Sequence, residues 1–400
     1  MPQPPDTRAS IHDVDALRGF ALIGIFIVNI TFMASGYPGN LAVDPAFTSP
    51  LDGLVRGLSS VLVDMKFYLL FSFLFGYSFT LLMRSARRAG VDVRLRMLRR
   101  IIGLFAIGCL HTVFLYGGDV LTTYAVACLA LLLMRGVSDR TALRVAAILY
   151  GLVFISLLVS GLFLDRSAFL PSATEAQVNG QLATQAMLGG WGDVIGHHLD
   201  GLGLLVVQAV SMQGPTALAM FLLGMVAGRR QLLAGIRGDE PALRRIQLIG
   251  FPIGLLGAVV YAAGGADHNT LAVAASVATA PLLMAAYVAT LLRLMHRSST
   301  SRLRAALAPA GRVALTNYLG QSLIGLLIFS GIGLGLAGTF SPLATMTLAF
   351  LVFGLQLVVS AWWLRRHRYG PAEWLLRWLT NAERPRAARP STTSSSGALR

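Results

Sequence analysis

Ten stretches of this 400-residue chain are almost free of charge and rich in Leu, Ile, Val, Phe, Ala and Gly, at roughly 17–35, 60–83, 98–116, 119–134, 143–164, 201–228, 245–264, 270–292, 313–332 and 342–364. About twenty helical residues at about 1.5 Å each match the thickness of a bilayer's hydrocarbon core, and inside it a backbone must satisfy its own hydrogen bonds. A soluble domain of this length has no interior large enough to hide ten such helices. The expected fold is therefore all-α, a polytopic integral membrane protein with about ten transmembrane helices around an internal polar cavity. Composition agrees, since 55% hydrophobic and 13% charged residues with a mean hydropathy of +0.67 lie outside the range of soluble chains.

The net charge of +15 would point to nucleic acid in a soluble protein. Here it follows the membrane instead. The connections at 84–97, 135–142, 229–244, 293–312 and 365–400, with Arg8 and Arg18, hold nearly all of the 33 basic residues. That asymmetry puts both termini in the cytoplasm, makes the bilayer the partner and leaves no role for nucleic acid. The domain plan is a cytoplasmic segment 1–16, a transmembrane domain 17–365 with an outward loop at 165–200, an interfacial helix 366–380 and a disordered basic tail 381–400. Cys109 and Cys128 sit in apolar runs, so neither a disulfide framework nor a metal site is expected. Met212–Pro215 interrupts the sixth span and predicts a kinked or broken helix there.

Polar side chains within the spans carry the functional information, because each is costly in lipid unless it faces protein or a cavity. In the first span Asp15, Arg18 and Asn29 fall within about 60° of one another on one helical face, which should look inward. Asp15 and Arg18 lie toward the cytoplasmic side, and Asn29, about 16 Å further along, toward the outer side. His111 precedes an outward turn and Asp119 follows it. A near-neutral imidazole suits a general base or proton relay, with a packing role as the bland alternative; Asp119 either orients His111 or caps the next helix. Lys66, the one lysine beside 32 arginines, opens the second span near Asp64 and is a candidate tunable ammonium, paired with Asp64 or Asp119. Arg312, Asn317 and Gln321 start the ninth span, where they either line an inner vestibule or bond neighbouring helices. His197 and His198 lie in the outward loop. YGPAEWLLRW at 369–378 reads as an interfacial anchor beginning at Pro371.

Five motifs in order, DALRGFALIGIFIVNI at 15–30, KFYLLFSFLFG at 66–76, the His111 to Tyr124 segment with GDVLTTY, GRVALTNYLGQS at 311–322 and YGPAEW at 369–374, together resemble the YeiB-like family of bacterial inner-membrane proteins. That family is in turn distantly similar to transmembrane acyltransferases such as heparan-α-glucosaminide N-acetyltransferase, which pass an acyl group from cytosolic coenzyme A to an acceptor across the membrane. The shared pieces are Asp15, Arg18, Gly19 and Asn29 of the first span and the segment from Asp64 to Gly76. In those enzymes an asparagine at the place of Asn29 and a histidine soon after it belong to the active site. Here ITFMASGYPGN follows Asn29, and His111 is the residue left to take the histidine's part.

The resemblance implies an acyl-CoA or acetyl-CoA donor, no metal, and a small-molecule or lipid acceptor outside a bacterial inner membrane; a homodimer is among the assemblies it admits. His111, Asn29, Asp119 and Lys66 form the expected catalytic set, and Asp15, Arg18, Arg312, Asn317 and Gln321 the expected donor-binding set. The rival function is secondary transport or export of a small polar or amphipathic molecule, with the same residues as binding site and proton relay.

Overall fold

The computed structural model describes residues 7–37, 42–164, 171–236, 239–296 and 301–382. Among these residues the secondary structure is helical, without a β-strand: α1 (Thr7–Ala34), α2 (Pro50–Leu62), α3 (Lys66–Arg88), α4 (Val93–Phe114), α5 (Leu121–Leu133), α6 (Asp139–Phe163), α7 (Ala173–Leu188), α8 (Trp191–Asp200), α9 (Leu202–Gln208), α10 (Gly214–Arg229), α11 (Leu232–Ile236), α12 (Glu240–Ala263), α13 (Thr270–His296), α14 (Ser301–Arg312), α15 (Ala314–Phe329), α16 (Pro342–Arg366) and α17 (Pro371–Asn381). Eight helical stretches are long and apolar enough to cross a membrane, or up to nine if the bent pair α14 and α15 makes one span. The expected span at 119–134 is α5, which at 13 residues is shorter than a bilayer needs by itself. Exposed Leu152, Ile155, Val159 and Leu162 on α6 are the kind of surface that lipid covers. The chain is a multi-pass membrane protein.

The first span lies at the centre. Leu17, Ala21, Leu22, Phe26 and Ile30 of α1 are at most 1% exposed, and the helix packs against α3, α13, α14, α15 and α16. Its polar residues accordingly meet protein. Asp13 is fully buried and ties three helices together, with its Oδ2 3.1 Å from His296 Nε2 of α13 and its Oδ1 3.6 Å from Arg304 of α14. The crossing of α1 and α14 is so close that glycine is required on both sides. A Cβ on Gly311 would stand 1.8 Å from the carbonyl oxygen of Asp15, and one on Gly19 would stand 2.2 Å from that of Leu307. The glycines of the DALRG and GRVALTN motifs thus serve one contact.

Between α14 and α15 the chain turns by 78°, past Pro309 and through non-helical Val313. That turn sends α15 across the bundle and leaves its N-terminal amides to be satisfied from elsewhere.

Two expectations change. The 165–200 segment is not a simple loop: within its described residues, Ser172 and Glu175 form a capping box that starts α7, and Asp193 helps to start α8. The PSATEA stretch carried that signal. Nor is 1–16 a separate segment, because α1 begins at Thr7 and Val14, Asp15 and Ala16 are already buried. The tail from 383 onward lies outside the described residues. The break in the sixth span is a short π-helix at Ala209–Gln213, where the Gly214 N–H donates to the Ala209 carbonyl five residues back.

Candidate functional site

Described arginines of the connections meet one another's elements, with Arg84 donating to the Arg229 carbonyl, Arg229 to the Val137 carbonyl and Arg293 to Glu240, and a cavity of about 920 Å³ lies among the opposite helix ends. Its walls come from the end of α1 (Asn29, Met33), the Asp64–Met65 break, the Tyr116–Gly118 turn, α7, α8, the π-helix and the ends of α12 and α15. Gly180, Ala183 and Met187 of α7 lie over it. Polar groups alternate with Phe32, Phe47, Leu204, Phe329 and Phe340 around the wall, so the space is amphipathic. Residues that sequence reasoning passed over also open here, among them Arg56, Gln208, Gln213 and Asp267; the Asp267 Oδ1 accepts from the Tyr261 hydroxyl at 2.8 Å.

Behind Tyr116 of the cavity wall sits His111, which like Lys66 and Asp119 is 1% exposed. His111 ends α4, where the Leu115 and Tyr116 amides both donate to its carbonyl at 2.9 Å. Its Nδ1 is 2.9 Å from Asp119 Oδ1, and both side chains are 0% exposed. Of the two jobs its position allowed, Asp119 does the cap: Oδ2 accepts from the Thr122 N–H at 2.8 Å at the start of α5, while Oδ1 stands against His111. On the opposite edge of the ring, Nε2 lies 2.8 Å from the hydroxyl of Ser322 on α15, 211 residues away in the chain. Tyr318 packs 5.0 Å from the imidazole, and Tyr116, which lines the cavity, meets its edge at 6.2 Å. The imidazole is therefore one aromatic ring away from the cavity. A carboxylate on Nδ1 favours the tautomer with the proton there, which leaves the Nε2 lone pair facing the Ser322 hydroxyl.

The other expected site residues divide by depth. Asn29 is half-buried on the cavity wall. Lys66 is 1% exposed and closes the break between α2 and α3, donating from Nζ to the Ser60 carbonyl at 2.9 Å; Asp64 is the carboxylate that acts on it. At the arginine-rich end, Arg18 pairs with Asp15 at 2.7 Å and donates to the Ser78 hydroxyl, with Arg312 within electrostatic reach of Asp15. Asn317 and Gln321 bond to α16: Asn317 Nδ2 donates to Ser360 Oγ at 3.0 Å, and Gln321 Nε2 donates to Gln356 Oε1 at 2.8 Å. Gln356 Nε2 returns a bond to the Asn317 carbonyl at 3.0 Å. His197 and His198 are helical residues of α8 that line the cavity, and His198 Nδ1 is 3.0 Å from the Val113 carbonyl beside His111.

The helix carrying Ser322 is held from outside the site. Glu373, in α17, takes the Leu315 N–H at 2.7 Å and the Thr316 N–H at 3.2 Å, and accepts from the Thr316 hydroxyl at 2.6 Å. The C-terminal motif thus caps α15 at its bend as well as anchoring α17. Glu373→Ala is expected to cost about 1 kcal/mol, as loss of a helix cap does, while Glu373→Gln keeps an acceptor and most of the stability. Burial lifts the Glu373 carboxyl above the ordinary glutamate value of 4.5, against hydrogen bonds from Thr316 that pull it down. The folded chain therefore holds a proton that the unfolded chain has released. This group's contribution is greatest below pH 4.5 and declines as pH rises through the raised value. Thermal melts in detergent against pH should show that decline in the parent and not in Glu373→Gln.

Fold and site together define a multi-pass α-helical membrane protein with a polar centre buried beneath a cavity. Residues 227–383, which include Ser322 and Glu373, match the family model described as a protein of unknown function, DUF418. Along nearly its whole length the chain is similar to the uncharacterized protein YxaH of Bacillus subtilis, 29% identical over 389 residues that cover 94% of this chain and 95% of the relative. It is likewise similar to the uncharacterized protein YeiB of Escherichia coli, 28% identical over 403 residues, covering 96% of this chain and 98% of the relative. Over nearly its whole length the chain is thus similar to uncharacterised proteins of the YeiB-like type.

Proposed function

We propose that this protein is a membrane-embedded acyltransferase that moves an acyl group from a cytosolic acyl-CoA, such as acetyl-CoA, to a small-molecule or lipid acceptor on the outer side of a bacterial inner membrane. The observation that carries this reading is the buried imidazole whose Nδ1 is held by Asp119 and whose Nε2 meets a hydroxyl, one ring from an amphipathic cavity. Such an imidazole can take a proton from an attacking hydroxyl or amine. Asn29 on the cavity wall is the proposed hydrogen-bond donor to the developing oxyanion. Asp15, Arg18, Arg312, Asn317 and Gln321 lie toward the opposite end, where the donor would approach, and Lys66 holds the helix break beside the acceptor space.

The arginine-rich connections support an orientation with both termini in the cytoplasm and the cavity facing outward. In that orientation donor and acceptor come from opposite faces. Acetyl-CoA is expected to bind the detergent-solubilised protein and raise its melting temperature, and His111→Ala is expected to lower transfer by about 10²–10⁴-fold while leaving donor binding intact. A protein that ignores millimolar acyl-CoA yet takes up a small amphipathic solute in proteoliposomes would instead be a transporter using the same cavity.

A further inference from the structure

We propose that Ser322 is the nucleophile of this site and carries the acyl group as a covalent ester between donor and acceptor. The inference rests on the acyltransferase reading and adds to it an intermediate and a residue. Side chains from the turn before α5, from α4 and from α15 stand in one order. Asp119 Oδ1 is 2.9 Å from His111 Nδ1, and His111 Nε2 is 2.8 Å from Ser322 Oγ. A hydroxyl is a weak nucleophile until an adjacent base removes its proton, and the base works best when a third group fixes its tautomer. All three residues are 1% exposed in this state, so bulk water is kept away from an ester formed there.

The position of Ser322 along α15 adds a second argument. It lies eight residues in from Ala314, about 12 Å from the arginine-rich end of that helix, and seven residues before Phe329, about 10 Å from the cavity end. One turn further, Gly325 and Leu326 line the cavity. A hydroxyl midway between two approaches can receive the acyl group from one and release it to the other. No open channel need then join the two sides. A structural role alone would ask of Ser322 only one hydrogen bond, which the Tyr318 carbonyl, 3.4 Å from its Oγ, already offers.

In the first half-reaction Oγ attacks the thioester carbonyl. The Oγ–H bond breaks as Nε2 takes the proton, an Oγ–acyl bond forms, the acyl–sulfur bond breaks, and Nε2 returns the proton to the leaving sulfur so that coenzyme A departs as its thiol. In the second half-reaction the acceptor's hydroxyl or amine attacks the ester and gives its proton to Nε2. The Oγ–acyl bond breaks, and Oγ recovers the proton.

The test is acceptor-free labelling. The full-length protein in detergent is incubated with acetyl-, succinyl- or palmitoyl-CoA, quenched in acid and mapped by peptide mass spectrometry, with exchange of labelled CoA into acyl-CoA followed in parallel. One donor is expected to leave an acyl group on the peptide containing Ser322. Ser322→Ala should lose label and exchange by at least about 10³-fold. Ser322→Cys should regain the label as a thioester released by neutral hydroxylamine, a chemical signature that a merely structural serine would not give. Transfer to an acceptor without label at Ser322, label on another residue, or undiminished transfer by folded Ser322→Ala would overturn the serine carrier and leave the acyltransferase standing. No donor binding and no transfer with any of the three would overturn both.

Discussion

Gly311→Ala is expected to prevent recovery of folded protein. The added carbon would sit 1.8 Å from the Asp15 carbonyl oxygen, and the atom in its way is backbone, which cannot swing aside as a side chain can. Helices α1 and α14 would have to move apart by an ångström or more, with the contacts of Asp13 to His296 and Arg304 stretched in the same movement. Overpacking of this kind costs about 3 kcal/mol before those contacts are counted, a large part of the stability of a typical domain. Gly53→Ala in α2 is the control, since a Cβ there meets nothing within 4 Å. It should be neutral or stabilising by up to about 1 kcal/mol. Size exclusion and thermal melting in detergent measure both, and a Gly311→Ala protein that melts with the parent would show that the two helices do not cross at this point.

Asp119→Asn should leave a folded protein that transfers acyl groups about 10²–10⁴ times more slowly. An amide of the same shape has one acceptor oxygen where the carboxylate has two. Its one oxygen can serve the Thr122 N–H, which Asp119 Oδ2 accepts now, or stand against His111 Nδ1, which lies 2.9 Å from Oδ1, but not both. With the oxygen kept on Thr122, the amide nitrogen faces Nδ1. The imidazole then favours the other tautomer, with Nε2 protonated and unable to take a proton from Ser322. The structural loss is about 1–3 kcal/mol for one unsatisfied buried group. Asp119→Ala removes both acceptors and should cost more stability. Transfer rates for Asp119→Asn matching the parent would remove the His111–Asp119 pair from the chemistry.

Some of this organisation is legible residue by residue. The polar stripe of α1 predicts a helix surrounded by protein, and α1 is the centre of the bundle, because charged groups at membrane depth need partners that lipid cannot supply. The pairing of His111 with Asp119 follows from eight residues of separation across a turn bounded by two helices. Ser322 closes a motif visible in the sequence, yet a serine in a membrane helix commonly bonds its own backbone, so nothing local singles it out. His197 and His198 read as loop residues because their segment is polar, although the capping boxes before them mark helices.

The sequence by itself determined the class: an all-α membrane protein, the places of most of its spans, the kink near Pro215 and the inward face of the first helix. Those follow from hydrophobic length, periodicity and backbone chemistry, which act over a few turns of chain. Only the tertiary structure decided that Ser322 meets His111, that Glu373 caps α15, that Asn317 and Gln321 bond to α16, and that Asn29 opens on a cavity covered by α7. Each of these contacts joins residues distant in sequence, 211 positions apart for His111 and Ser322. What sets them is how the helices pack and where α14 turns by 78° into α15. No local period encodes that angle.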